Sequence, residues 1–238
     1  MGEVIRKTAA VGDIFADVRS TLINAAAKGG AWKDLADAQL ASLLAQIDAT
    51  QTQTEDATKA LQPLRAAVEA RDEDADHLLG RVSDVIWNEV GRPASDTALT
   101  TLFPGGVSYY TSGSTEEQPS RMELLAVLLE SGTHPKLSSA TATELAQEVR
   151  ASAALLRAAV EAQQAPESRV HQLEQVRKAL ARTAQSALQG LKRRYKAASL
   201  SEADIHTVIP DRPRPAAGAK PAPAPAPAPA STATNSGS

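Results

Sequence analysis

The fold is decided by a ten-residue stretch that occurs twice, as SDTALTTLFP at residues 95–104 and as SEADIHTVIP at residues 201–210. Both copies begin with serine and an acidic residue and end in proline. Three more matches precede them in the same order: WKDL at 32–35 with HPKL at 134–137, LAQ at 44–46 with LAQ at 145–147, and Pro63 with Pro166. All offsets fall between 101 and 106 residues. We therefore predict two tandem pseudo-repeats.

Helical periodicity and composition indicate the fold class. Aromatic residues make up only 3% of the chain, and small aliphatic side chains allow helices to approach closely. Apolar residues three or four positions apart mark the seam of packed antiparallel helices, for example Ala75, Leu78, Val82, Ile86 and Val90. The sequence predicts an all-α fold: an antiparallel, coiled-coil-like helical bundle built from two tandem pseudo-repeats of about three helices each.

Local signals predict where the helices begin and end. The first helix should end at Gly29, and Asp37 is a candidate N-cap of the second. Pro63 and Pro166 each favour the start of a third helix, because proline suits the first helical position. In the alternative, the second helix continues through Pro63 with a kink and the chain turns at residues 71–74. Serines are expected to cap the short closing helices: Ser95 and Ser201.

The chain divides into four segments. Residues 1–104 form helical repeat one, residues 105–120 an inter-repeat loop, and residues 121–210 helical repeat two. Residues 211–238 form an Ala/Pro-rich C-terminal tail, in which Ala and Pro alternate from residue 221 to residue 230. Such a composition cannot bury a core, so we expect the tail to be disordered and partly in the polyproline II conformation.

Several function classes are disfavoured by composition. The chain has no cysteine, which excludes disulfides, cysteine-based zinc sites and thiol nucleophiles. No apolar run approaches the roughly 18 residues of a membrane span, and the N-terminus has no apolar signal core. We expect a cytoplasmic protein without membrane contact.

No motif predicts a catalytic, metal or cofactor site. The four histidines are scattered without metal-ligand spacing, and the acidic run at 72–77 lacks the glycine of a calcium loop. Residues 110–115, YTSGST, resemble the phosphate-loop signature of the adenylate-forming (AMP-binding) enzymes. That family continues with glycine and Pro-Lys-Gly, whereas EEQPS follows here. We interpret the segment as a connecting loop, and we expect no cofactor.

Two sets of residues are candidates for partner binding. Tyr109 and Tyr110 are two of only three tyrosines and lie in the glycine-containing loop. They either present a contact patch or fill the space between the repeats. The second set is a basic stretch opposed only by Glu174 between residues 169 and 196, a pattern that phosphate backbones favour. Its members are Arg169, Arg177, Lys178, Arg182, Lys192, Arg193, Arg194 and Lys196.

The functional hypothesis is a non-enzymatic helical structural or protein-interaction module, which binds a protein partner or associates with itself. The alternative is weak nucleic-acid or polyanion binding through the basic helix at 167–196. It is not favoured, because residues 1–104 hold 16 acidic against 10 basic side chains. A third hypothesis is an enzyme with its pocket at the inter-repeat loop.

Overall fold

The computed structural model describes residues 9–210, and all regular secondary structure in this range is helical. The all-α class predicted from sequence is therefore confirmed. The helices are α1 (Val11–Lys28), α2 (Gly30–Ala36), α3 (Ser42–Glu89), α4 (Thr97–Leu102), α5 (Ser108–Thr111), α6 (Gln118–Glu130), α7 (Ser139–Ala197) and α8 (Glu202–Val208). A π-helical turn, Asp37–Ala41, joins α2 to α3. The tail predicted at 211–238 lies outside the described residues.

Two long helices, α3 and α7, form the axis of the molecule. They contain 48 and 59 residues. At about 1.5 Å per residue they are about 72 and 88 Å long. Arg65 pairs with Glu167 at 2.6 Å, and Arg81 pairs with Glu148 at 2.6 Å. Residue numbers fall along α7 as they rise along α3, so the two helices run in opposite directions.

The buried side chains form two clusters. Cluster one joins α1, α2 and the start of α3 to the end of α7 and to α8; its largest buried side chains include Phe15, Leu40, Ile47, Leu188 and Tyr195. Cluster two joins the end of α3 to α4, α5, α6 and the start of α7; its members include Leu79, Ile86, Leu102, Tyr110 and Met122. Each cluster thus takes helices from both sides of the inter-repeat loop, and neither 1–104 nor 121–210 builds a core alone.

The stretch between the clusters, here called the central stalk, contains little buried surface. Over residues 48–74 of α3 and 157–180 of α7, only Thr54, Leu61 and Leu173 are buried. The Thr54 hydroxyl donates a hydrogen bond to the carbonyl of Thr50 in the preceding turn, at 2.7 Å. The two clusters are therefore connected mainly by two paired helices.

The predicted third helices are wrong, because both prolines lie inside continuous helices. Pro63 is within α3 and Pro166 within α7. The alternative turn at residues 71–74 is also wrong, since α3 continues through them. A helical proline removes the donor to the carbonyl four residues earlier. Those carbonyls belong to Lys59 and Ala162, which are both exposed, so water can satisfy them.

Two predicted N-caps are also wrong. Asp37 does not start a helix: it has helical backbone angles in the π-helical turn, and its carboxylate pairs with Lys33 one turn earlier. Ser95 does not cap α4. Its neighbour Asp96 does, because Oδ1 of Asp96 accepts hydrogen bonds from the N–H groups of Ala98 at 2.8 Å and Leu99 at 3.1 Å.

Other boundaries agree with the sequence. Gly29 ends α1 with a φ of 69°, a left-handed conformation that favours glycine. Ser201 caps α8, since its hydroxyl accepts the N–H of Asp204 at 3.1 Å. The inter-repeat segment is more ordered than predicted, because it contains α5 and the first turn of α6, with Pro119 near the start of that helix.

We predict that Ile86→Ala lowers the free energy of unfolding by about 2–5 kcal/mol, because it opens a cavity in cluster two. Ile86 is 0% exposed. The matched control is Glu73→Ala on the same helix, whose side chain is 75% exposed and should be near neutral. Urea denaturation of the three proteins measures the difference. Equal midpoints for the two variants would contradict the assignment of Ile86 to the core.

Candidate interaction surfaces

The two loop tyrosines have different environments. Tyr110 is 0% exposed, and its hydroxyl donates a hydrogen bond to the carbonyl of Leu102 at 2.5 Å. Its ring packs edge-on against Phe103 at 5.7 Å and against Tyr109 at 5.0 Å. Burial raises the pKa of Tyr110 to about 12, because the phenolate would lose its hydration. Of the two alternatives, a contact patch or the filling of internal space, Tyr110 follows the second because it is buried in the core, whereas Tyr109 is 39% exposed.

Arg121 holds the inter-repeat loop against α6. Its guanidinium donates hydrogen bonds to the backbone carbonyls of Tyr109 at 2.8 Å, Ser112 at 2.5 Å and Ser114 at 3.3 Å. A Cβ at Gly113 would lie 3.1 Å from this guanidinium, and the φ of Gly113 is +103°, so glycine is required there. The loop therefore directs carbonyls at a cation. A phosphate loop directs N–H groups at an anion, so the geometry differs from that of the adenylate-forming enzymes.

A cavity of about 270 Å³ lies where this loop meets the central stalk. Its wall contains the hydroxyls of Ser114 and Thr115 and the carboxylates of Glu116 and Glu167. Glu167 accepts one hydrogen bond from Arg65 and one from Gln163, and these two bonds hold the pKa of its carboxyl below its usual range. The wall contains no histidine or lysine.

His134 is the one described histidine that is buried, and it has a structural role. Its Nε2 lies 3.3 Å from Oδ2 of Asp96, and its Nδ1 accepts the N–H of Lys136 at 3.2 Å. Both ring nitrogens are therefore engaged. The imidazole fixes the loop before α7 to the N-cap of α4 and has no free nitrogen for proton transfer.

Three of the eight basic residues predicted for polyanion binding are paired with carboxylates. Arg177 pairs with Glu174 at 2.7 Å. Lys192 and Lys196 pair with Glu202 of α8 at 3.0 and 2.6 Å. These two ammonium groups hold the pKa of Glu202 at about 2, chiefly through the hydrogen bond from Lys196. The charge available to a polyanion is therefore smaller than the sequence suggests.

The other five basic residues have no carboxylate partner among residues 9–210, and all five are exposed: Arg169, Lys178, Arg182, Arg193 and Arg194. Helical periodicity places three of them on the side of α7 that faces away from the core. These three, here called the basic face, are Lys178, Arg182 and Arg193.

Helix α6 is apolar on both sides. Met122, Leu125 and their neighbours face cluster two and are fully buried. Leu124 and Val127 point outward and are 45% and 53% exposed. A helix with apolar side chains all round is normally buried. Leu124 and Val127, here called the outer face of α6, therefore form a candidate protein-contact surface that sequence analysis missed.

A groove lies between the end of α3 and α4. Its volume is about 330 Å³, and its lining includes Trp87, Leu99 and Phe103 with the carboxylate of Asp84 at the edge. Trp87 is 44% exposed, although Arg92 lies over its ring at 5.6 Å. Sequence analysis did not identify this groove, because its residues belong to different helices. Trp87 lies between Ile86 and Val90, two residues of the apolar seam. Its position off the seam could have indicated an exposed tryptophan.

We predict that Tyr110→Ala destabilises the protein by about 3–5 kcal/mol, because a large buried ring is removed. Tyr109→Ala should change stability by less than about 1 kcal/mol, since that ring is half-exposed. Tyr110→Phe is the matched control for the hydroxyl and should lower the free energy of unfolding by about 1 kcal/mol. Chemical denaturation with tertiary-structure circular dichroism measures all three. A stable Tyr110→Ala protein would contradict the buried position of this ring.

Among residues 9–210, no helix combines the length and apolar character needed to cross a membrane, and no three potential ligand side chains lie close enough to hold a metal ion. Three comparisons bear on the identity of the chain. No protein-family model, no curated protein and no solved structure matches it.

Proposed function

We propose that the protein is a non-enzymatic helical module that binds a partner protein. In this proposal the central stalk holds cluster one and cluster two apart. The observation that carries this proposal is the outer face of α6, where Leu124 and Val127 expose apolar surface on a helix whose opposite side is already buried. Contiguous exposed apolar side chains favour protein contact. The surface lies on cluster two, and the central stalk separates it from cluster one.

We also propose that the two pseudo-repeats, residues 1–104 and 121–210, are a tandem duplication. The matched prolines, Pro63 and Pro166, lie close to the level of the Arg65–Glu167 ion pair in the stalk. A half-turn about an axis at this level would exchange α3 with α7. It would also exchange the opening helices α1 and α6 and the closing helices α4 and α8. Each cluster combines the opening helix of one repeat with the closing helix of the other, which supports this interpretation.

We expect the paired substitutions Leu124→Glu and Val127→Glu to abolish capture of the partner, because a charge cannot be desolvated in an apolar contact. The measurement is affinity capture from extracts of the native source, with quantitative mass spectrometry. Ile23→Glu is the matched control, since Ile23 is 68% exposed on cluster one. Identical protein sets from the wild type and the α6 variant would contradict the proposal.

A second candidate function is polyanion binding through the basic face. The observation that favours it is that Lys178, Arg182 and Arg193 are exposed and have no carboxylate partner among residues 9–210. Each phosphate that a cation neutralises releases a counterion, so binding weakens as salt rises.

For this candidate we expect that converting all three basic-face residues to Glu weakens duplex DNA binding and reduces the slope of log K against log salt by about 3. Fluorescence anisotropy over a salt series measures both quantities. The control is Lys59→Glu with Lys136→Glu, which changes two exposed cations elsewhere. An unchanged slope in the triple variant would exclude the basic face as the binding site.

A further inference from the structure

The groove between α3 and α4 has the chemistry of a proline-recognition site. Proline-rich segments in the polyproline II conformation dock into grooves lined by aromatic side chains. Trp87, which is 44% exposed, supplies the aromatic surface and Leu99 the aliphatic surface, while Phe103, only 8% exposed, lines the groove from the side of the core. The position of the groove is fixed from two sides, because Arg92 lies over Trp87 at 5.6 Å and Phe103 packs edge-on against Tyr110 at 5.7 Å. An aromatic surface that is already held in place loses little entropy on binding.

The same chain carries a segment with the matching composition. Ala and Pro alternate over residues 221–230, and Lys220 directly precedes the first of these prolines. A polyproline II helix has three residues per turn, so each face of an alternating Ala-Pro sequence in that conformation presents proline and alanine in turn. Residues 211–238 hold three basic side chains against one acidic side chain.

Charge complementarity supports this pairing. Asp84 lies at the edge of the groove and has no cationic partner among residues 9–210. A lysine beside the first docked proline would supply that partner and set the direction of the segment.

The groove is out of reach of the tail of its own chain. Ile209 packs in cluster one with Leu188 of α7. Trp87 lies close to the level of Ser138, whose N–H is donated to Glu89 at 2.9 Å. About 50 residues separate Leu188 from Ser138, which is about 75 Å at the helical rise. Pro221 follows Pro210 by 11 residues, which span at most about 40 Å even in a fully extended chain.

We propose that residues 220–230 of one copy of this chain dock into the groove formed by Trp87, Leu99 and Phe103 of a second copy. Lys220 pairs with Asp84 in this contact. The contact is heterologous, because a tail meets a groove, so it links copies in a concentration-dependent manner. This inference does not use the outer face of α6 and does not depend on the proposed function.

The direct test uses a fluorescein-labelled peptide with the sequence of residues 219–230. We expect saturable binding to the full chain, measured by anisotropy. Trp87→Ala should weaken the binding by about tenfold or more, which corresponds to about 1.4 kcal/mol. The control peptide has serine in place of all five prolines and should not bind. Equal binding of the two peptides, or equal affinity of wild type and Trp87→Ala, would overturn the proposal.

A second test measures self-association of the full chain by sedimentation velocity over a concentration series. We expect the wild type to associate. Trp87→Ala and a tail variant with serine at the five prolines should each remain monomeric alone. Mixed together they should form a heterodimer, because one supplies an intact tail and the other an intact groove. Failure of the mixture to associate would overturn the proposal.

Two further variants distinguish the proposed contact from misfolding of Trp87→Ala and from a contact through α6. Asp84→Lys alters only an exposed side chain, and it should weaken peptide binding even if Trp87→Ala fails to fold. Leu124→Glu should leave peptide binding and self-association unchanged. Loss of self-association in Leu124→Glu, with retention in Trp87→Ala, would assign the contact to α6. That result would overturn this inference and leave the proposed function standing.

Discussion

The antiparallel packing of α3 against α7 is the contact on which the rest of the structure depends. The end helices are too short to be stable alone: α4, α5 and α8 contain 6, 4 and 7 residues. Isolated helices shorter than about 12–15 residues are marginal in water. They persist because each packs its apolar side on one end of the α3–α7 pair. The long helices are therefore the template on which both clusters assemble, and the surfaces proposed for binding are carried by the elements at the ends.

Sequence analysis predicted those features that depend on local chemistry. The helical class followed from the spacing of apolar residues, and the end of α1 followed from Gly29, whose left-handed conformation disfavours other residues. Pro63 was misleading because proline favours the first position of a helix, whereas the apolar seam of α3 continues past residue 63. Leu61 is fully buried one turn from Leu64, and Pro63 itself is exposed on the opposite side.

The candidate surfaces were harder to predict, because they depend on which residues meet in space. Two adjacent tyrosines cannot be separated into a core residue and a surface residue before the direction of α5 is known. The pairing of Lys192 and Lys196 with Glu202 was not visible either, since that carboxylate belongs to the next helix. The groove requires the juxtaposition of Trp87 and Phe103 across a turn of the chain. Composition nevertheless identified the alternating Ala and Pro residues at 221–230, the segment that we propose binds to this groove.

The composition of the two clusters imposes an order on folding during synthesis. Cluster two is built from residues 75–156, a nearly continuous stretch that can close soon after it leaves the ribosome. Cluster one needs residues 14–47 together with residues 181–209. At about 5–20 residues per second, the first part waits roughly 7–27 s for the second. During that interval Phe15, Leu40 and Ile47 lack their native neighbours from α7 and α8, so these apolar side chains are exposed to aggregation and to chaperones. Helices α7 and α8 complete the burial of α1.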